Sequence, residues 1–401
     1  MTDFNHSDAL AQAKALIPLL ETFDGSLHQR KALLKHLNDL RSTFEHPSDI
    51  FARWQESMCT ASALDIMLRL GAWKKIPDDG TPITAGELAS GSNVDESVIT
   101  RAMRILVTAG LVDEVDIDTY RRNALTSAFQ ADSYGSLASV GLYFVRGWGV
   151  IPSYSLTHAT QDIFDPRRNP IVCFYGQEGK TFYEVLDGDP MLREMFDTSM
   201  YGLGTNLYQT EGLFPFEGMR EQVMREPERV FVVDVGGGKG HVLREIRAMC
   251  GGDAWGRRLV LQDLPVVVDS LEKEDIEGFE VMEYDFHTEQ PVKNAHIYFL
   301  RMILHNYYDP VCITILKNQA RAMGPDSRLI VCEMLVPDKV EVGAPMDVHW
   351  MNFSMLMLGG KERRLAEFED IFEQAGLEIA GVWRAKAGYC AMIEGRLRRT
   401  G

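Results

Sequence analysis

Residues 229–243 read Arg-Val-Phe-Val-Val-Asp-Val-Gly-Gly-Gly-Lys-Gly-His-Val-Leu, and this stretch decides the fold. The β-branched and aromatic run from Val230 to Val235 is typical of a buried parallel strand. A glycine turn ends the strand, and an amphipathic helix begins at Gly240. Because glycine has no Cβ, the backbone of such a turn can approach a ligand closely. The helix N-terminus behind it offers N–H groups, so the stretch predicts a ligand-binding loop.

The spacing of the glycines distinguishes between possible ligands. A phosphate-binding P-loop requires Ser or Thr after Gly-Lys, but Lys239 is followed by another glycine. A dinucleotide fingerprint requires glycine at position 241, which is His241. What remains is an acid followed by glycines at every second position, Asp234, Gly236, Gly238 and Gly240. This pattern resembles the first motif of class I methyltransferases that use S-adenosylmethionine (SAM); a glycine turn without a ligand is the alternative.

The composition indicates a soluble globular protein of two or three domains. The chain has 401 residues, of which 45% are hydrophobic and 25% charged. The formal net charge of −17 disfavours general nucleic-acid binding. The six cysteines are scattered, which favours reduced thiols and a cytoplasmic location. We expect neither a secretory signal nor a membrane span, because the N-terminus is polar and no apolar run approaches about 20 residues.

The first 130 residues are predicted to be mainly helical. Apolar residues recur at helical spacing through 8–43, and a second helical run begins at Pro47 and ends near Gly71. These apolar helices pack either within the chain or on another subunit. From residue 84, two helices precede two strands around an Asp-rich turn, which is a winged-helix order. Residues 56–122 carry 7 basic and 11 acidic side chains, a balance of −4, so we expect a structural or dimer-forming module and no DNA binding.

Residues 125–228 are also predicted to be mainly helical, and they are rich in aromatic residues and methionine. At helical spacing such residues usually belong to a core. Flat rings and flexible methionines also suit a planar organic ligand. The substrate-binding candidates in this region are Phe182, Met195 and Met200.

From residue 229, strands alternate with helices, which predicts a doubly wound, mostly parallel α/β sheet. The seven strand candidates are 230–235, 258–262, 279–283, 295–300, 328–333, 377–384 and 389–394. Ligands of such sheets bind beyond the carboxyl ends of the strands. Polar residues at those ends are Asp234, Asp263, Asp285, Arg301 and Glu333.

Two of these strand ends suit a nucleoside. Asp263 lies 23 residues beyond Gly240 and can accept hydrogen bonds from both hydroxyls of a ribose, a group that SAM and NAD share. The pair Asp285-Phe286 suits an adenine contact. A turn-forming role for Asp285 is equally consistent with the spacing.

His305 lies just past the apolar run that follows the fourth strand. A neutral imidazole with a pKa of about 6.5 can take a proton from a phenol. Such a base needs a carboxylate to orient it, and the candidates are Glu333 and Glu362. A structural histidine is the alternative. No metal site is predicted, because no spacing of metal ligands is evident near His305.

These residues resemble the plant and fungal family of SAM-dependent O-methyltransferases of the caffeate and flavonoid type, over nearly the whole chain. The motifs that carry the resemblance are Asp-Val-Gly-Gly-Gly-Lys-Gly (234–240), Leu-Gln-Asp-Leu-Pro (261–265), Leu-Arg-Met-Ile-Leu-His (300–305) and Gly-Gly-Lys-Glu-Arg (359–363). Asn306 and Arg364 depart from the family, which usually has Asp and Thr there.

The resemblance implies SAM as the cofactor and a homodimer formed through the N-terminal helices and winged helix. It implies His305 as the base, with Glu333 and Glu362 as its orienting acids. The implied cofactor-binding residues are Asp234, Gly236, Gly238, Gly240, Asp263, Leu264, Asp285, Phe286 and Arg301. Tyr307 and Asn352 complete the predicted substrate-binding set.

We therefore expect a helical and winged-helix dimerisation domain (1–130), a helical substrate-binding or linker region (131–228) and a SAM-binding Rossmann-like domain (229–401). The predicted activity is methyl transfer to a phenol or enol hydroxyl of a small aromatic or polyketide-like secondary metabolite. The main alternative is a pericyclase or cyclase that binds SAM on the same fold and transfers no methyl group. A ligand-sensing transcription factor is disfavoured by the acidic recognition helix, and a nicotinamide-dependent oxidoreductase by His241.

Overall fold

The computed structural model describes residues 6–130, 134–206, 213–273, 276–386 and 388–398. The chain forms two compact units. The first unit consists of Met1–Lys14, Asn38–Leu156 and Phe174–Tyr208, and the second of Ala15–Leu37, Thr157–Cys173 and Gln209–Gly401. The three-part division expected from the sequence, 1–130, 131–228 and 229–401, stays a prediction.

Helices dominate the chain before the glycine loop. In order they and the first strands are α1 (His6–Glu21), α2 (Leu27–Ser42), α3 (Pro47–Arg69), β1 (Ile83–Thr84), α4 (Ala85–Ala89), α5 (Glu96–Thr108), β2 (Asp113–Asp116), β3 (Thr119–Arg121), α6 (Ala124–Ala128), α7 (Tyr134–Trp148), α8 (Ile151–Thr157), α9 (Pro170–Phe174), α10 (Phe182–Asp187), α11 (Pro190–Asn206) and α12 (Arg220–Arg225). The run predicted as helical over 8–43 is two helices. The chain turns between them because Gly25 has a φ of 81° and the N–H of Ser26 donates to Asp24 Oδ1 over 2.8 Å.

The predicted winged helix is confirmed in the first unit. Strands β1, β3 and β2 form a three-stranded antiparallel sheet beside α4 and α5. Asp95 caps α5, since its side chain accepts the N–H of Ser97 over 2.9 Å. The buried side of α5, including Met103 and Leu106, packs with Trp73 in one apolar core.

Basic side chains of the winged helix form ion pairs with acids of the same unit. Arg104 pairs with Asp118 over 3.3 Å, and Arg122 pairs with Asp78. Charges paired in this way are less available to DNA phosphates. The absence of DNA binding stays a prediction.

The second unit contains the seven-stranded sheet. Its elements after α12 are β4 (Val232–Val235), α13 (His241–Met249), β5 (Leu259–Asp263), α14 (Pro265–Val268), β6 (Glu280–Glu283), β7 (Ile297–Arg301), α15 (Asp309–Ala320), β8 (Arg328–Met334), α16 (Asp347–Leu358), α17 (Leu365–Gln374), β9 (Leu377–Arg384) and β10 (Cys390–Leu397). All seven predicted strands are confirmed, with ends displaced by at most three residues. Helices α14 and α16 were not predicted.

The strand order is β6-β5-β4-β7-β8-β10-β9, with only β10 antiparallel to both of its neighbours. Strands β4, β7 and β8 are buried on both faces, which explains their continuous apolar sequences. The order of parallel strands reverses at β4, which lies between β5 and β7. The glycine loop therefore leaves the sheet at its switch point, where doubly wound folds bind ligands. Among the described helices, none is long and apolar enough to cross a membrane.

Candidate active site

The glycine loop after β4 has a left-handed backbone at alternate positions. The φ angle is 71° at Gly236, 55° at Gly238 and 70° at Gly240. Because residues with a Cβ rarely adopt such angles, glycine recurs at every second residue. The intervening Gly237 is needed for space, since a Cβ there would lie 2.6 Å from Asp234 Oδ2.

The loop also meets two other strand ends. Asp263 at the end of β5 accepts the N–H of Gly238 and the N–H of Leu264, each over 2.8 Å. A Cβ on Gly236 would lie 2.7 Å from Ile303 Cδ1 and 3.7 Å from Phe286 Cε1. The structure thus brings together the glycine loop, the acid assigned to a ribose and the ring assigned to an adenine. Their contact with the cofactor stays a prediction.

Asp234 is a buried acid at this edge of the sheet, and its pKa is strongly raised. Burial raises its pKa to about 7; the charges of Asp263 and Glu245 also raise it, and that of Arg301 lowers it. Within the described part of the chain, Asp234 Oδ2 has no hydrogen-bond partner. A ligand that carries positive charge would stabilise the ionised carboxylate. The amino group and sulfonium of SAM meet that requirement, so the residues fit this cofactor.

Asp285 forms the turn that the sequence allowed as its alternative role. Its Oδ1 accepts the N–H of His287 over 2.9 Å. The adenine contact proposed for Asp285 and Phe286 stays a prediction. Leu264 follows Asp263 and is 43% exposed, and Arg301 is the last residue of β7.

His305 lies in a short 3-10 turn, Leu304–Asn306, and is buried. Its Nδ1 lies 2.7 Å from Glu362 Oε1. Glu333 instead holds the backbone before the histidine, because its Oε1 accepts the N–H groups of Ile303 over 3.1 Å and Leu304 over 2.9 Å. Of the two candidate acids, Glu362 therefore orients the ring and Glu333 supports the turn.

The net charge environment favours protonation of His305. Burial lowers the pKa of the imidazole, but the charges of Glu362 and Glu333 and the hydrogen bond to Glu362 together raise it above its ordinary value, against a lowering by Arg363. Burial raises the pKa of Glu333, and Glu362 raises it further. A raised pKa makes His305 a stronger base than an exposed histidine.

The motif at 359–363 wraps around the backbone of His305. Gly359 ends α16 with a φ of 82°, and the N–H of Lys361 donates to the carbonyl of His305 over 2.9 Å. Asn352, predicted as a substrate residue, accepts the N–H of Glu362 over 2.9 Å. The sequence assigned no role to Gly360 or Arg363. Their only signal was their place in the motif 359–363, which carries the family resemblance.

One possible metal-ligand atom from each of His305, Glu333 and Glu362 lies within 4.8 Å of the others. The sequence grouped these three residues as a base and its orienting acids, but it predicted no metal site, because they are far apart in the chain and show no ligand spacing. The hydrogen bonds described above already engage one oxygen of each acid. The absence of a metal stays a prediction.

The predicted substrate residues fall in both units. In the second unit, the rings of Tyr307 and Phe286 are in edge-to-face contact, with their centroids 6.0 Å apart. Asn352 lines a cavity of about 310 Å³ together with Tyr308, His349 and Phe353. In the first unit, Phe182 is buried, whereas Met195 and Met200 are half-buried on α11. Contact of these residues with a substrate stays a prediction.

The fold and the site define a class of protein. A doubly wound sheet, a glycine loop at its switch point and a buried histidine–carboxylate pair beyond the neighbouring strands are the features of a class I methyltransferase. The family model for the O-methyltransferase domain matches residues 174–378. The chain belongs to this O-methyltransferase family.

Known proteins agree with this assignment. The chain is 39% identical to O-methyltransferase hmp5 of Hypomyces subiculosus over 378 residues, which span 92% of each protein. It superposes on a crystal structure of OxaC with SAH and oxaline at a TM-score of 0.84 and 25% identity, over 98% of this chain and 99% of OxaC. A pericyclic reaction enzyme shares the fold at a TM-score of 0.82 and 24% identity, over 98% of this chain and 100% of that enzyme. The protein is a SAM-dependent O-methyltransferase.

Proposed function

We propose that the enzyme methylates a phenolic or enolic hydroxyl of a small aromatic or polyketide-like metabolite, with His305 as the general base. The observation that carries this proposal is the 2.7 Å contact between His305 Nδ1 and Glu362 Oε1 in a buried site. A carboxylate at Nδ1 favours the tautomer with its proton on that atom. The lone pair of Nε2 is then available for the proton of the acceptor.

The proton transfer follows from this arrangement. His305 Nε2 takes the hydroxyl proton, and the resulting imidazolium is stabilised by the charges of Glu362 and Glu333. When bound, SAM supplies the methyl group and leaves as S-adenosylhomocysteine. A positioned base of this kind contributes about 10²–10⁴-fold to the rate.

We propose that the cofactor is held by the residues that meet at the glycine loop. Asp263 fixes the loop through Gly238 and keeps carboxylate lone pairs for ribose hydroxyls. Phe286 and Ile303 lie against Gly236 and offer apolar surface to the adenosine. Asp234, Gly240, Leu264, Asp285 and Arg301 complete the proposed set.

The proposed acceptor pocket combines apolar and polar groups. The cavity beside α16 is lined by Tyr308 and Phe353, with Asn352 and His349 as polar residues. A cavity of about 310 Å³ suits a small planar molecule. We include Phe182, Met195, Met200 and Tyr307 as proposed substrate contacts because aromatic and thioether side chains suit such a molecule.

We also propose a cytoplasmic homodimer that binds neither nucleic acid nor membranes. Along α3, Phe51, Trp54 and Met58 lie at helical spacing and are 60%, 58% and 43% exposed. An apolar stripe of this kind marks a protein-binding surface. The buried thiols of Cys332 and Cys390 agree with a reducing compartment. Light scattering of the purified protein should give twice the monomer mass of 45.2 kDa. In the Trp54→Glu variant the measured mass should fall toward that of the monomer.

The activity is tested with SAM labelled in its methyl group and a panel of phenols and aromatic polyketides. Mass spectrometry should detect the label in one class of acceptor. His305→Ala should lose at least about 10²-fold in kcat. His28→Ala, at an exposed histidine, is the matched control and should leave kcat unchanged. Equal rates for His305→Ala and wild type would contradict the role of His305.

A pericyclase or cyclase is the second candidate, because a pericyclic reaction enzyme has the same fold. It would convert a precursor at unchanged mass and leave SAM intact. The same labelled assay distinguishes the two, since only methyl transfer adds the label and consumes SAM.

A further inference from the structure

Arg363 is a buried cation next to the catalytic pair. Its side chain is 0% exposed, although arginine is rarely buried without partners. Part of its charge is balanced by Asp309, whose Oδ1 accepts Nε over 2.9 Å and Nη2 over 2.8 Å. A side chain of this kind is held in one orientation, because its donors point in fixed directions.

Arg363 also donates to two carbonyls of the loop that carries His305, besides the carbonyl of Lys361 and the sulfur of Cys312. Nη1 donates to the carbonyl of Leu304 over 3.0 Å, and Nη2 donates to the carbonyl of Tyr307 over 2.7 Å. One of these carbonyls precedes His305 and the other follows it by two residues. The guanidinium therefore closes the turn on both sides of the histidine.

The segment that carries Arg363 is itself anchored to the sheet. Arg363 forms a parallel bridge with Leu335, just beyond β8, and its carbonyl accepts the N–H of Val336 over 2.9 Å. The preceding residue, Glu362, holds the ring of His305. One short segment thus fixes both the backbone and the imidazole of the base relative to the sheet.

We propose that Arg363 is a positioning residue for catalysis, which holds the turn around His305 so that the imidazole stays aligned between Glu362 and the acceptor hydroxyl. The inference rests on the proposed role of His305 as the base. Arg363 touches neither the acceptor nor the cofactor in this role. It acts through the carbonyls of Leu304 and Tyr307.

Lysine cannot replace Arg363 in this arrangement. An ammonium group keeps the positive charge but lacks the planar fork that reaches two carbonyls and a carboxylate together. Arg363→Lys therefore separates alignment from charge. The charged groups that face His305 are Glu362, Glu333 and Arg363, and all three charges remain in this variant.

The test compares Arg363→Lys with Arg364→Lys, a matched change at the adjacent arginine, whose side chain is 51% exposed. Misalignment of about 1 Å typically costs about 10²-fold, so kcat of Arg363→Lys should fall about tenfold to 10²-fold. The KM for SAM should stay within about twofold of wild type, because the glycine loop is unchanged. Arg364→Lys should keep the wild-type kcat.

A second readout follows His305 directly by NMR of the labelled imidazole. Loss of the Glu362 contact removes a cause that raises the pKa of His305, so its titration and the acidic limb of kcat/KM should move to lower pH. A purely structural role would change stability and leave this titration in place. Unchanged kcat and an unchanged titration in a folded, SAM-binding Arg363→Lys protein would overturn the inference.

Asp309→Asn serves as a second variant if Arg363→Lys does not fold. The side chain of Asp309 is 38% exposed, and the change weakens the orientation of Arg363 without removing its bonds to the carbonyls. A smaller fall in kcat, of about twofold to tenfold, with the same direction of titration shift is expected. No change in either quantity would overturn the inference. If the wild type transfers no methyl group, the proposed function fails, whereas the NMR titration still tests the link between Arg363 and His305.

Discussion

Gly360 packs directly against the backbone of His305. A Cβ at position 360 would overlap the carbonyl oxygen of His305 and would lie 2.7 Å from the carbonyl carbon of Asn306. The same carbonyl oxygen of His305 accepts the N–H of Lys361. The absence of a side chain at Gly360 therefore sets how closely the segment with Glu362 approaches the base.

The first prediction concerns Gly360→Ala. The new methyl group must push the backbone of this turn away, because the backbone atoms of His305 and Asn306 leave no space for it. We expect kcat to fall about tenfold or more while SAM affinity, measured by calorimetry, stays unchanged. Gly141→Ala in α7 is the control, since a Cβ there meets nothing within 4 Å. A Gly360→Ala enzyme with wild-type kcat would show that the contact does not position the base.

The second prediction separates two roles of Glu333. Glu333→Gln keeps an oxygen that can accept the N–H groups of Ile303 and Leu304, but it removes a negative charge that raises the pKa of His305. The acidic limb of the kcat/KM profile should therefore move to lower pH, with a small loss at the maximum. Glu333→Ala also removes both hydrogen bonds, so its kcat should fall by a further factor of about ten. Identical profiles for Glu333→Gln and wild type would argue against the charge effect.

The sequence was sufficient for the sheet and the glycine loop because their determinants are local. Continuous apolar runs marked the buried strands, and the φ angles of Gly236, Gly238 and Gly240 explain the spacing that indicated a SAM loop. The break within 8–43 was missed because Gly25 lies between two strongly helical patterns. Helix α16 was missed because it is apolar on several sides and has no clear helical period.

The candidate site could be predicted only in part because its contacts are distant in sequence. His305 and two acids were named from their positions, but the sequence could not choose which acid touches the ring. That choice depends on how the segment at 359–363 folds back on the turn at 304–306. The role of Arg363 was hidden for the same reason, since its partners include backbone carbonyls, which leave no trace in the sequence.

The third prediction concerns cofactor affinity. Asp263→Ala removes the acceptor of the Gly238 N–H and the carboxylate proposed for the ribose, so the loop loses both its anchor and a ligand contact. We expect the Kd for S-adenosylhomocysteine, measured by calorimetry, to rise about tenfold to 10³-fold. Asp269→Ala, at an exposed acid after α14, should bind like wild type. Equal affinities in the two variants would remove Asp263 from the cofactor site.

The fourth prediction concerns acid stability and His296, which lies at the sheet edge opposite the site. Its ring is 0% exposed, and within the described chain neither ring nitrogen has a hydrogen-bond partner. Burial lowers its pKa to about 4, and the charge of Arg229 adds to this effect, against opposing contributions from Glu226 and Asp326. In the unfolded chain the same ring titrates at about 6.5.

At a pH between these two pKa values, the unfolded state binds the proton and the folded state does not. The free energy of unfolding must therefore fall as the pH falls from about 6.5 toward about 4. His296→Leu removes this proton uptake while keeping an apolar side chain. The free energy of unfolding is measured in urea at pH 7 and at pH 5. Its decrease between the two pH values should be about 2 kcal/mol smaller in His296→Leu than in wild type. His28→Leu, at an exposed histidine, should behave as wild type. Equal losses in His296→Leu and wild type would mean that the folded protein accommodates the charged ring at pH 5.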